Sequence, residues 1–165
     1  MALDLLKKAE ALSKNSLRLK AITCNNMACY YSRTKKVRSA VGFLESALAI
    51  EYRQLKEVED NDAFEAALLL DNPSDAHLNL CVSMSDLARH EQALLNAMQA
   101  LVFVQNEIIE RTNIGKPTKE GTKETAKEEN SGLLKPLKDR YAVLCIAYHN
   151  IAVQHEFLKN VKRII

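Results

Sequence analysis

NNMACYY, residues 25–31, sets two asparagines against a run that reads as the buried face of a helix. Asparagine is a poor helix former because its amide competes for nearby backbone groups, so its place here needs a reason. The same local order returns in LNLCVSM, 78–84, and in HNIAVQH, 149–155. Each time an Asn (Asn26, Asn79, Asn150) precedes a large aliphatic residue and then a small one: Met27 and Ala28, Leu80 and Cys81, Ile151 and Ala152. Such a recurrence is an internal repeat, and a repeat governs how the rest of the chain is read.

Outward from these stretches the pattern is helical. LRLKAITCNNMACYYSR (17–33) and VRSAVGFLESALAIEYRQLKEV (37–58) carry apolar residues at spacings of three and four, which predicts helices with one buried stripe. No segment alternates with period two, so no strands are expected. Pro73 breaks the chain, and Ser74 or Asp75 is placed to cap a helix over about 75–88. Another is expected over 90–111, one from Lys135 or Pro136 to about 158, and a further one beginning in NVKRII. Three of the four glycines and two of the three prolines fall within 112–136, a Lys-, Glu- and Thr-rich segment expected to be a flexible, solvated loop.

Composition narrows the function classes. The 165 residues are 47% hydrophobic, enough for a core, and 23 basic residues nearly cancel 21 acidic ones for a formal +2. A field that weak draws the chain to neither nucleic acid nor anionic lipid. No apolar run approaches the roughly 18 residues of a membrane span, and MALDLLKKAE lacks the order of a signal peptide. Cys24, Cys29, Cys81 and Cys145 show no CxxC spacing and lie in apolar-periodic segments, which predicts buried free thiols in a reducing compartment. The cytoplasm, including the cytoskeleton, is the expected location.

AITCNNMACYYSRTKKVRSAVGFLESALAIE, residues 21–51, resembles the tetratricopeptide repeat, a helix-turn-helix unit of about 34 residues. Met27, Ala28, Tyr31, Ala40 and Ala47 stand at its signature positions, with Leu44 for the usual aromatic and Lys35 where the turn usually has Gly. In 74–104 the matching residues are Leu80, Cys81, Met84, Ala93, Ala97 and Ala100; a third unit starts near Cys145 with Ile151, Ala152 and His155. ALDLLKKAEAL looks like the second helix of a preceding unit, with Ala2, Leu6 and Ala9 in place. The resemblance implies an all-α, right-handed solenoid of antiparallel hairpins, in which small residues let paired helices approach.

One domain then covers 1–165: 2–16 as a preceding second helix, 17–58 a repeat, 59–73 an insertion, 74–111 a repeat, 112–136 the loop and 137–165 a partial repeat. Within the insertion, 63–70 reads as a short helix covering its neighbour or lying in the groove as an internal ligand. A chain that starts and stops in mid-repeat is expected to be a piece of a longer array with exposed, self-associating ends.

The resemblance also places function on a concave wall built from the first helix of each unit. There it puts Asn25, Asn26, Arg33, Asp75, Asn79, Val82, His149, Asn150 and Val153. In related repeats an asparagine ladder grips a peptide backbone, since an amide donates and accepts at once. The other roles open to these amides are to bond the neighbouring helix or simply to face water. Chaperone-binding members carry a cationic clamp; Asn25, Cys29, Asn79, Ile146 and Asn150 occupy those places, so that ligand is disfavoured.

His77, His90, His149 and His155 form no metal or catalytic pattern, and no nucleophile constellation, phosphate loop or paired acid appears. The expected function is a non-enzymatic scaffold, without cofactor or metal, that takes a partner peptide or helix in its groove. The alternative is a structural assembly module of a cytoskeletal, ciliary or flagellar complex that packs through its repeat ends.

Overall fold

Helical periodicity with no competing strand pattern produces an all-α chain. The computed structural model describes residues 1–59, 73–114 and 126–164, with side chains over 1–57, 73–112 and 138–159. Helix α1 is Ala2–Leu12, followed by a 3-10 turn, Ser13–Asn15; α2 is Leu17–Arg33, α3 Val37–Glu59, α4 Ser74–Asp86, α5 His90–Ile114 and α6 Ala126–Ile164. Among the described residues there is no strand.

The entry to α2 is set by Ser16, whose extended backbone (φ −137°) lets Oγ accept from the Leu19 amide at 3.3 Å. A cap of this kind contributes about 1 kcal/mol. The exit is a Schellman turn: the Lys36 amide bonds the Tyr31 carbonyl at 2.9 Å and the Lys35 amide bonds that of Ser32 at 3.0 Å, with Lys35 at φ 61°. Helix α4 ends identically. Arg89 bonds Met84 and Ala88 bonds Ser85, both at 2.9 Å, with Ala88 at φ 56°. Lys35 and Ala88 are 53 positions apart, the same interval as Asn26 and Asn79.

Burial repeats at that interval too. Ala21, Cys24, Met27 and Ala28 on α2 and Ala40, Leu44 and Ala47 on α3 are at most 7% exposed. So are Ser74, His77, Leu80, Cys81, Ala93, Ala97 and Ala100. The hairpins α2–α3 and α4–α5 are therefore two copies of one structure, and the small residues lie where the paired helices meet. Both left-handed turn positions hold a side chain that disfavours this region. Lys35→Gly and Ala88→Gly are each expected to raise the unfolding free energy by about 0.5–1 kcal/mol, read as a higher urea midpoint at unchanged m-value. A lower midpoint at either site would contradict the left-handed turn.

Backbones pack in series: α1 on α2, α2 on α3, α3 on α4, α4 on α5, α5 on α6, with α2 also touching α4 and α4 touching α6. One core joins both hairpins, from Ala28, Ala40 and Leu44 to Leu80, Met84 and Ala97, with Tyr31, Phe43 and Ile151 packed against it. A smaller cluster of Leu78, Ala100 and Ala147 seats α6.

Several expectations are corrected. Neither Ser74 nor Asp75 caps α4: the helix begins at Ser74 itself, behind Pro73, with no side-chain cap. Residues 126–136, expected as loop, are helical, and Ala, Lys, Glu and Leu in that stretch are good helix formers. No new helix begins at NVKRII; α6 continues to Ile164, since no glycine or proline follows Pro136, and the third unit has no second helix among the described residues. The proposed helix at 63–70 and the rest of the expected loop, 115–125, lie outside the described residues. Of the thiols, Cys24 and Cys81 are buried, whereas Cys29 is half-buried and Cys145 exposed.

Candidate functional site

Helix α4 touches both α2 and α6, which brings the asparagines onto neighbouring elements. Asn79 on α4 donates from Nδ2 to Asn25 Oδ1 on α2 at 2.9 Å and approaches Cys29 Sγ at 3.8 Å. Its amide proton thus goes to the adjacent helix, and its partner is Asn25, not the equivalent Asn26. Asn26 is exposed. Asn150 is half-buried, and its Nδ2 is buried with no hydrogen-bond partner among the described residues. An unsatisfied buried donor costs about 1–3 kcal/mol, so this amide is the least accounted for in the set.

The remaining wall residues divide by environment. Arg33, Val82 and His149 are exposed, Val82 with 47% of its surface open, and Val153 is half-buried. Asp75 is exposed but engaged. Arg140 on α6 sends Nη2 to Ser74 Oγ at 2.6 Å and Nη1 to Asp75 Oδ1 at 3.3 Å, at the start of α4. Its Nε also sits 2.9 Å from Glu107 Oε2 on α5, off line for a hydrogen bond, so that contact acts by charge. Arg111 closes the network on Glu107 Oε1 at 2.6 Å. Arg140 and Glu107 side chains are 15% and 11% exposed, a shielded clasp joining three helices. Sequence reading placed Asp75 on the wall and missed its partner, 65 positions away.

A second polar chain crosses the hairpin boundary. His77 on α4 is 5% exposed and lies between Tyr52 of α3 and Asn96 of α5. Asn96 Nδ2 donates to the Gln92 carbonyl at 2.8 Å, which turns Oδ1 toward His77 Nδ1, also at 2.8 Å. Nδ1 therefore carries the proton, and Nε2 accepts from the Tyr52 hydroxyl at 2.7 Å. Phe103 stacks on the ring at 5.9 Å. Both nitrogens are satisfied in the neutral form, and burial holds the pKa below the ordinary 6.5. This is a structural histidine.

The sign of its pH effect follows. The unfolded chain takes up the His77 proton near pH 6.5 while the folded chain resists it, so this contribution is complete above 6.5 and is lost as pH falls through that value toward the lower folded pKa. The urea midpoint of the wild type should fall more steeply between pH 7 and 5 than that of His77→Gln. Parallel profiles would contradict the linkage.

Gln154 is a third anchor that sequence reading overlooked beside His155. It is 3% exposed, its Oε1 lies 2.9 Å from His90 Nδ1, and its Nε2 donates to Ser85 Oγ at 3.1 Å. Burial pushes Cys24 up and Cys81 to about 11, which leaves both as unreactive thiols. Among the described residues no group of three His, Cys, Asp or Glu side chains could hold a metal, and no helix is long and apolar enough to cross a membrane.

No protein-family model matches the chain, and no curated protein or solved structure matches it either.

Proposed function

We propose that the chain is a protein-binding scaffold of the tetratricopeptide type, a right-handed solenoid that takes an extended peptide or a helix of a partner protein along α2, α4 and α6. The reading makes it non-enzymatic, cytoplasmic and indifferent to nucleic acid and membrane. The copied hairpins, with identical Schellman turns and serial packing, support the solenoid. The observation that carries ligand binding is the state of the amides. Asn26 is open to solvent on α2, and Asn150 keeps a buried donor without a partner on α6. Asn79 belongs to the framework, holding α4 to α2 through Asn25.

Peptides selected from a random library on the immobilised chain test this division. Asn26→Ala combined with Asn150→Ala is expected to weaken selected peptides about tenfold, by loss of about one hydrogen bond's worth of affinity. No fall in melting temperature is expected, because the buried Asn150 donor has no partner to lose among the described residues. Asn79→Ala is expected to lower stability by about 1 kcal/mol, because Asn25 loses its donor. Binders indifferent to Asn26 and Asn150, or no binders at all, would sink the ligand role.

A further inference from the structure

A net charge near zero conceals a division along the chain. The first 44 residues carry nine basic and two acidic side chains, a net +7, and the other 121 carry 14 and 19, a net −5. From Ala11 to Leu44 there are seven cations and no acid. Four of the seven, Arg33, Lys35, Lys36 and Arg38, fall within six residues at the turn between α2 and α3, and all four are exposed. None of them makes an ion pair among the described residues.

The second hairpin shows whether the turn requires these charges. Its Schellman turn has the same bonds and the same left-handed position, yet Asp86, Ala88, Arg89 and Glu91 stand at the four equivalent places, a net −1. One backbone thus carries +4 in one copy and −1 in the other, so folding does not dictate the cations. Arg33 and Lys35 suit the C-terminal end of the α2 dipole, but Arg38 sits in the first turn of α3, where a cation is disfavoured and where α5 has Glu91.

We infer that the α2–α3 turn is a docking surface for an acidic segment of a partner protein. The patch is about 10 Å across, one helix diameter, which matches the Debye length of about 8–10 Å at physiological salt. A short run of Asp or Glu placed there feels the four cations and little of the net −5 carried by the rest of the chain. A nucleic-acid duplex or an anionic bilayer presents its charge over a far larger area and meets both signs, which disfavours either as the occupant. Lysine and arginine bring donors and no acceptor, so several separate carboxylates can be held at once. The surface lies at the tip of the hairpin and does not rest on a ligand along α2, α4 and α6.

Titration of the isotopically labelled chain with acetylated hexaglutamate in about 0.1 M salt, followed by amide chemical shifts, tests this. Saturable shifts centred on residues 33–38 are expected, with a Kd of about 1 mM or tighter. Lys35→Gln combined with Lys36→Gln, both at exposed sites, should weaken the peptide at least about fivefold with the melting temperature unchanged. Lys14→Gln combined with Lys20→Gln removes the same charge about 20 Å or more down α2, beyond the reach of unscreened attraction, and should leave the affinity within about twofold. A short DNA duplex and vesicles containing phosphatidylserine should each bind more weakly than hexaglutamate. The inference is overturned by the absence of saturable shifts, by shifts centred away from the turn, or by a Lys35 and Lys36 variant that binds as the wild type does. Equal damage from the Lys14 and Lys20 variant, or a preference for the duplex or the vesicles, would overturn it as well.

Discussion

Leu44→Ala is expected to lower the unfolding free energy by about 3 kcal/mol, the largest loss from any single truncation in the core. Leu44 is the bulkiest fully buried side chain among the described residues and is 1% exposed. It belongs to the core shared by the two hairpins, in one cluster with Leu48, Leu80 and Met84, so its truncation leaves a cavity that both hairpins line. Hydrogen exchange distinguishes a shared core from two independent ones. Amides of α2 and of α5 should lose protection by the same amount, because the cluster spans both. Loss confined to α2 and α3, or a change below about 1 kcal/mol, would contradict a common core.

Arg140→Met is expected to cost about 3 kcal/mol, since removing one member of a shielded ion pair leaves the other charge without compensation. Glu107 is 11% exposed and would keep only Arg111, itself 39% exposed. Ser74 Oγ and Asp75 would lose their links to α6 at the same time. Pairing Arg140→Met with Glu107→Gln should recover a large part of the loss by removing the stranded carboxylate. Because the pair is shielded, the difference between wild type and Arg140→Met should change little between low and moderate salt. A loss that vanishes in salt would place the clasp at the surface.

Much of the fold was legible because its determinants are local. Apolar spacing and the placement of Gly and Pro located α2 at Leu17–Arg33 and α3 within a residue of its end, and the Asn-large-small order located the repeat. Lys35 at the glycine position of the turn was also visible, and Ala88 is its unnoticed copy. What failed depended on distant partners. Nothing near Arg140 announces Ser74, Asp75 or Glu107, and His77 takes its meaning from Tyr52 and Asn96 on two other helices. Asn79 was placed in register with Asn26, yet bonds Asn25, because adjacent helices are offset in a way no single-helix pattern encodes. In α6, glycine and proline at 132 and 136 suggested a break that the surrounding helix formers override.

The candidate wall fared unevenly for the same reason. Helical spacing put Asn26, Val82 and His149 on one side of their helices, and all three are exposed. It carried no information on which amides the framework would occupy; Asn79 and Asp75 are held by other helices.

Chemical-shift mapping with an isotopically labelled chain and a selected peptide tests ligand binding along the first helices most directly. The largest amide shifts are expected at Asn26, Val82 and His149, on three successive first helices. Shifts concentrated instead at Leu95, Met98 and Val102, the exposed apolar stripe of α5, would place the binding face on the second helices and contradict the groove.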